Sequence, residues 1–234
     1  MVGYLVAIVL LAGPSQSSAL DWPASPPPIS QETAARVAPV AAAIKAERDA
    51  QAKLPPPRSD AERLVRMGRL DQVGRNAALR IDIHDLTGPE QWGAQATIWL
   101  PINAIDAENQ AQLLKMVPPE GWFYRSRYGA EAADAAFLIV QHSKPKLWRR
   151  FLPVLEPLVA KGEVRGPAYA LMYDRLAISE GRPQRYGSQL SCRNGRFAID
   201  PVEAPETVNQ RRKAMGFPDT LAQYERTFAT YPPC

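Results

Sequence analysis

The sequence predicts a mainly α protein: a single helical domain with a small β-hairpin near the C-terminal third. Three observations lead there. Apolar residues recur at helical spacing, as in Leu64, Met67, Leu70 and Val73. The strongest hairpin signal is the dipeptide Asn194-Gly195, set between QRYGSQL and RFAI. Hydrophobic residues make up 46% of 234 and charged residues 22%, which is enough apolar surface to bury a core. Gly numbers only 14, excluding collagen-like and glycine-rich repeats, whereas the 23 Pro exceed the usual share of about 5% and punctuate the helices. The net charge of +4 comes from 28 basic and 24 acidic residues, so the field is dilute and no nucleic-acid partner is expected.

The elements follow in order. Residues Val2 to Gly13 are apolar and uncharged, and Ser17 and Ala19 are small, so 1–19 reads as a signal peptide cut after Ala19. The apolar run is too short to span a bilayer, which needs about 20 residues, so no stable membrane anchor is expected after processing. Export implies a periplasmic or secreted protein. Residues 20–58 form a Pro- and Ala-rich leader: LDWPASPPP is extended, Ile29 to Lys53 is one helix started by Ser30 and kinked at Pro39, and LPPP ends it. The helical domain spans 59–234. Ser59 with Glu62 is a capping-box pattern opening a helix to about Ile83. Gly88-Pro89 is a turn, Trp92 to Leu100 is an ambiguous apolar run read as helix, and Asp106 to Val117 is a clear helix. Glu120 to Arg127 is an aromatic turn, Ala130 to Ser143 is an Ala-rich helix, and Lys146 to Ala160 is a helix interrupted by Pro153 and Pro157. Pro167 begins Ala168 to Ser179. After the hairpin, helices cover Glu203 to Met215 and Thr220 to Phe228.

The two cysteines, Cys192 and Cys234, pair in an oxidising compartment or remain free thiols, one of them on a terminus. Two Cys and two His are too few for a conventional zinc site, and no HxH or HExxH spacing occurs, so no metal or other cofactor is expected. Arg149-Arg150 and Arg211-Arg212-Lys213 read as solvated helix faces.

Polar residues at predicted core positions carry the functional signal. Asp71 and Arg75 share a helix face four residues apart, with Gln72 beside them. Gln141 and His142 end an apolar helix, Asp174 and Arg175 follow the apolar YALMY run, and Gln184, Tyr186, Ser188 and Gln189 precede the hairpin turn. Burying such groups costs several kcal/mol, about 1–3 each, unless they meet one another. At these residues the chain resembles an uncharacterised bacterial domain-of-unknown-function family with the pattern DQxxR, Gly-Trp, QH, DR and Q-x-Y-G-[TS]-Q. They stand here as Asp71-Gln72-x-x-Arg75, Gly121-Trp122, Gln141-His142, Asp174-Arg175 and Gln184 to Gln189, with Ser188 at the hydroxyl position. The resemblance covers about Ser59 to Phe228 and implies a shared pocket, with no activity attached.

Chemically, His142 is the natural general base, and Asp71 or Asp174 orients it. Arg75 or Arg175 holds a carboxylate or phosphate, while Gln72, Gln141, Gln184, Tyr186, Ser188 and Gln189 line the pocket and read polar groups. The expectation is a site for a small-molecule or peptide-like anionic ligand. The alternatives are a metal-independent hydrolase or transferase using His142, and a structural scaffold whose polar groups fix helix register.

Overall fold

The computed structural model describes residues 26–229, 231 and 234. The expected signal peptide lies outside the described residues. The chain divides into two compact units, one of Trp22–Val164 and one containing Arg165–Cys234.

Among the described residues the first unit holds helices and their connections, with no strand. The Ser30 hydroxyl accepts the Thr33 N–H and starts α1 (Gln31–Val37). Pro39 then sits in the first turn of α2 (Pro39–Ala52), so the leader contains two helices where one kinked helix was expected. Proline lacks an N–H but fits the first turn, where that donor has no helical partner. Both helices join the core: Val37, Val40 and Ile44 are buried with Ala78, Ile98, Ile102 and Ile105. The core of this unit therefore starts well before Ser59.

Ser59 caps α3 (Asp60–Ala78) through the Glu62 N–H, as its spacing predicts. α3 touches α2, α4 and α6 and is the centre of the unit. It makes close approaches by leaving out side chains. A Cβ on Gly68 would lie 2.6 Å from Ala135 Cβ, and one on Gly74 would lie 2.8 Å from Ile44 Cδ1.

α4 (Gly88–Met116) merges the ambiguous apolar run and the helix expected from Asp106 into one rod of 29 residues. It continues through Pro101, which is inside the helix. One missing N–H does not end a helix whose apolar face, Ala94, Ile98, Ile102 and Ile105, is buried on both sides of it. The aromatic turn contains the short α5 (Arg125–Tyr128). α6 (Ala130–Gln141) ends on His142 as its C-cap. α7 (Pro145–Ala160) runs uninterrupted past Pro153 and Pro157. Both prolines lie on the exposed face, while Trp148, Phe151, Leu152, Leu155 and Leu158 bury the other face.

The second unit begins with α8 (Gly166–Ser179), with Pro167 in its first turn. β1 (Leu190–Arg193) and β2 (Arg196–Ile199) pair antiparallel, with Leu190 opposite Ile199 and Arg193 opposite Arg196. Asn194 and Gly195 both have positive φ, 52° and 75°, which a two-residue hairpin turn demands. The helix expected over 203–215 is a 3₁₀ turn, Pro205–Thr207, followed by α9 (Val208–Ala214). α10 (Leu221–Phe228) starts with a Thr220–Gln223 capping box. Cys192 and Cys234 form a disulfide with Cα atoms 5.8 Å apart. Among the described residues no helix is long and apolar enough to cross a membrane.

Replacing Gly68 by Val tests the packing of α3 on α6. The added methyls have no room at Ala135, so the variant should lose about 1–3 kcal/mol of stability, read as a lower urea midpoint.

Candidate functional site

The predicted site residues fall into two groups, one in each unit. Asp71, Gln72, Arg75, Gln141 and His142 belong to the first. Asp174, Arg175, Gln184, Tyr186, Ser188 and Gln189 belong to the second.

In the first unit the close approach of α3 and α6 brings the end of α6 against Asp71. His142 Nδ1 lies 3.0 Å from Asp71 Oδ1 and 2.9 Å from Oδ2. Gln72 Nε2 donates to Asp71 Oδ2 at 2.6 Å. Arg75 donates to the Asp71 carbonyl at 3.1 Å and grips Asp106 with both terminal nitrogens, at 3.0 and 2.8 Å. Asp71 is 1% exposed and the His142 side chain 7%, so these charges meet far from bulk water. Gln141 is buried at the end of α6.

Sequence reasoning missed Asp106, Asn109 and Gln110. They sit on one face of α4, one turn apart. Asp106 neutralises Arg75, Asn109 donates to the Met67 carbonyl at 3.1 Å, and Gln110 donates to the His142 carbonyl at 3.4 Å. In sequence they read as the polar side of an ordinary surface helix. The available signal was their i, i+3, i+4 spacing with Ile102 and Ile105 on the apolar face.

The electrostatics follow from burial. Burial lowers the His142 pKa below its ordinary 6.5 and outweighs the Asp71 carboxylate beside it, so the ring is neutral at neutral pH. Burial by itself would raise Asp71, but the His142 ring, Arg75 and Gln72 outweigh it and hold the carboxyl below its ordinary value. Burial raises Asp106 despite its Arg75 partner. A neutral imidazole facing a carboxylate through Nδ1 must carry its proton on Nδ1, because two acceptors would repel. Nε2 then presents a lone pair. It is buried without a hydrogen-bond partner, as is the Trp122 indole nitrogen. Trp122 itself is 0% exposed and meets Phe123 and Phe151 edge-on.

In the second unit one buried carboxylate organises a loop. Asp174 accepts the backbone N–H groups of Arg185, Tyr186 and Ser188 and the Ser188 hydroxyl, at 2.7 to 3.2 Å. Gln184 closes the same loop: its Oε1 accepts the Gln189 N–H, and its Nε2 donates to the Gln189 and Asp200 carbonyls. Gln189 Nε2 reaches the Leu171 carbonyl and Ser188 Oγ. The Tyr186 ring is buried edge-on to Tyr173. Arg175 is half-buried beside Asp174 on α8. Burial raises the Asp174 pKa against these hydrogen bonds.

Arg212 corrects the expectation of a solvated basic cluster. It is 1% exposed, donates to the Tyr186 carbonyl at 3.0 Å and the Asp219 carbonyl at 2.9 Å, and lies over the Phe217 and Tyr224 rings. Aromatic faces and carbonyls replace its water. Its neighbour Arg211 donates to the backbone carbonyls of Arg185 and Glu203.

Among the described residues no group of three His, Cys, Asp or Glu is placed to hold a metal ion. An open cleft of about 800 Å³ lies elsewhere in the first unit, lined by Arg36, Pro39, Ala43, Ala77 and Arg80 to Asp82 with Asp85, and none of the predicted residues lines it.

The fold and site therefore define a helical protein built around a buried aspartate–histidine pair. A family model described as a family of unknown function, DUF6624, matches residues 63–230, and the chain belongs to that family. No curated protein and no solved structure matches it.

Two predictions follow from the geometry. Asp174→Asn presents an amide N–H₂ to N–H donors and should cost about 3 kcal/mol or more in chemical denaturation, against about 1 kcal/mol for Ser188→Ala. The second concerns pH. The folded His142 binds a proton less readily than the unfolded one, whose pKa is 6.5. Its contribution to stability is therefore complete above 6.5 and lost as pH falls through that value toward the folded pKa. The difference in unfolding free energy between wild type and His142→Gln should be flat above 6.5 and shift against wild type below it.

Proposed function

We propose that His142 is a general base in a metal-independent hydrolase or transferase. The observation that supports this is its Nε2: a buried, neutral imidazole nitrogen with its lone pair free and its other nitrogen held by Asp71. In such a pair the carboxylate fixes the tautomer and stabilises the imidazolium that forms when Nε2 takes a proton. Nε2 removes that proton from water or a substrate hydroxyl, the oxygen attacks an acyl or phosphoryl centre, and the imidazolium returns the proton to the leaving oxygen or nitrogen as its bond breaks. Arg75 and Gln72 help hold Asp71 ionised.

This reading is favoured over an anionic-ligand pocket. Asp106 already takes the Arg75 guanidinium through both terminal nitrogens, so Arg75 has no charge to spare for an acid. In the second unit, the hydrogen bonds of Asp174 and Gln184 support a loop-building role for them. We further propose that the protein works in the periplasm or outside the cell. The Cys192–Cys234 disulfide fits an oxidising compartment.

The test is hydrolysis of ester, amide and phosphomonoester probes by the purified protein. The expected result is turnover that falls 10²- to 10⁴-fold (order of magnitude) in His142→Gln and drops in Asp71→Asn, with activity rising through a pKa below 6.5. No turnover of any probe, or turnover indifferent to His142→Gln, would overturn the assignment.

A further inference from the structure

The second unit carries a device independent of the His142 reading. We propose that the Cys192–Cys234 disulfide is a redox-sensitive latch that holds α10 on the Gln184–Gln189 loop.

The disulfide joins Cys192 of β1 to Cys234, and both cysteines are exposed. The Cys234 N–H also donates to the Gly195 carbonyl at the hairpin turn. From there an aromatic chain leads inward. Tyr231 meets Phe197 of β2 and Phe228 of α10, with ring centroids 6.3 and 5.2 Å apart. Phe228 meets Tyr224 at 4.7 Å. Tyr224 reaches the loop itself, its hydroxyl donating to the Ser188 carbonyl at 3.1 Å. Leu221, at the start of α10, covers Gly187 so closely that a Cβ there would lie 2.4 Å from Leu221 Cδ1.

α10 has only eight residues, too few to hold a helix without tertiary contacts. Those contacts lie on the loop, the hairpin and α9, where Asn209 Oδ1 accepts the Leu221 N–H, and the disulfide closes the far end of the segment against the hairpin. The latch and the Asp174 loop are thus joined through named contacts, while Asp174 and Arg212 hold the loop as well, Arg212 lying also over the Tyr224 ring.

An external dithiol opens the latch by exchange. Its thiolate attacks one cysteine sulfur, displacing the other as a thiolate and forming a mixed disulfide. The second thiol of the reductant resolves it. Two electrons pass to the protein, the two cysteines take up protons, and the reductant leaves as its own disulfide. Exposed disulfides are the ones such reagents reach.

The experiment is amide hydrogen exchange on the full chain, oxidised and after reduction with dithiothreitol, with Cys192→Ser/Cys234→Ser as a reductant-free control. Exchange is read in peptides covering 184–190, 221–228 and, as an internal reference, 60–78. The expected result is exchange about tenfold or more faster in both the loop and α10, in the reduced protein and in the double variant, with the reference unchanged. Loop protection that survives reduction overturns the proposal, whether or not α10 frays. Loss of protection in the reference peptides as well also overturns it, because the bond would then be a general staple.

Discussion

Gly68 brings α3 against α6 at a distance no side chain would permit, and the polar chemistry of the first unit hangs on that approach. With Ala135 opposite, the backbones come close enough for the C-cap of α6 to place the His142 ring on the Asp71 carboxylate. The same tight packing removes water from both groups. Burial then has opposite consequences for the two partners. It discharges the imidazole, while hydrogen bonds and the nearby guanidinium keep the carboxylate ionised. The ring is neutral and the carboxylate charged because burial disfavours the imidazolium while the carboxylate keeps its hydrogen-bond donors.

The two buried aspartates show how environment divides the roles of one residue type. Asp174 spends its oxygens on three backbone N–H groups and a hydroxyl, so it acts as the keystone of a turn. Asp71 also has several neighbours, but one is a titratable ring whose second nitrogen has no partner. An unpaired buried nitrogen costs free energy, and at His142 that nitrogen is one that can take up a proton. Trp122 shares the lack of a partner but is a donor without a second titratable group, so it has no comparable chemistry.

Much of the fold was legible because its signals are local. Ser30 and Ser59 accept the N–H groups their spacing implies, and Asn194-Gly195 takes the left-handed backbone that makes a tight hairpin. The prolines misled where tertiary burial won. Pro153 and Pro157, expected to interrupt their helix, do not, because the apolar face around them stays packed. Asp71 and Arg75 were recognisable from one helix turn, and His142 from its place at the end of an apolar stretch. Asp106 was not, since its partner lies 31 residues away and α4 shows polar residues on several sides. Arg212 was hidden for a similar reason: between Arg211 and Lys213 it looks solvated, and the rings of Phe217 and Tyr224 that receive it are brought there by the following turn.

The central claim is the protonation state of one ring, and nitrogen-15 NMR of the His142 imidazole reads it directly. The account predicts, at neutral pH, a protonated Nδ1 and a bare Nε2, with the second proton added only below the 6.5 of an unperturbed histidine. A ring protonated on Nε2, or an imidazolium at neutral pH, would contradict it.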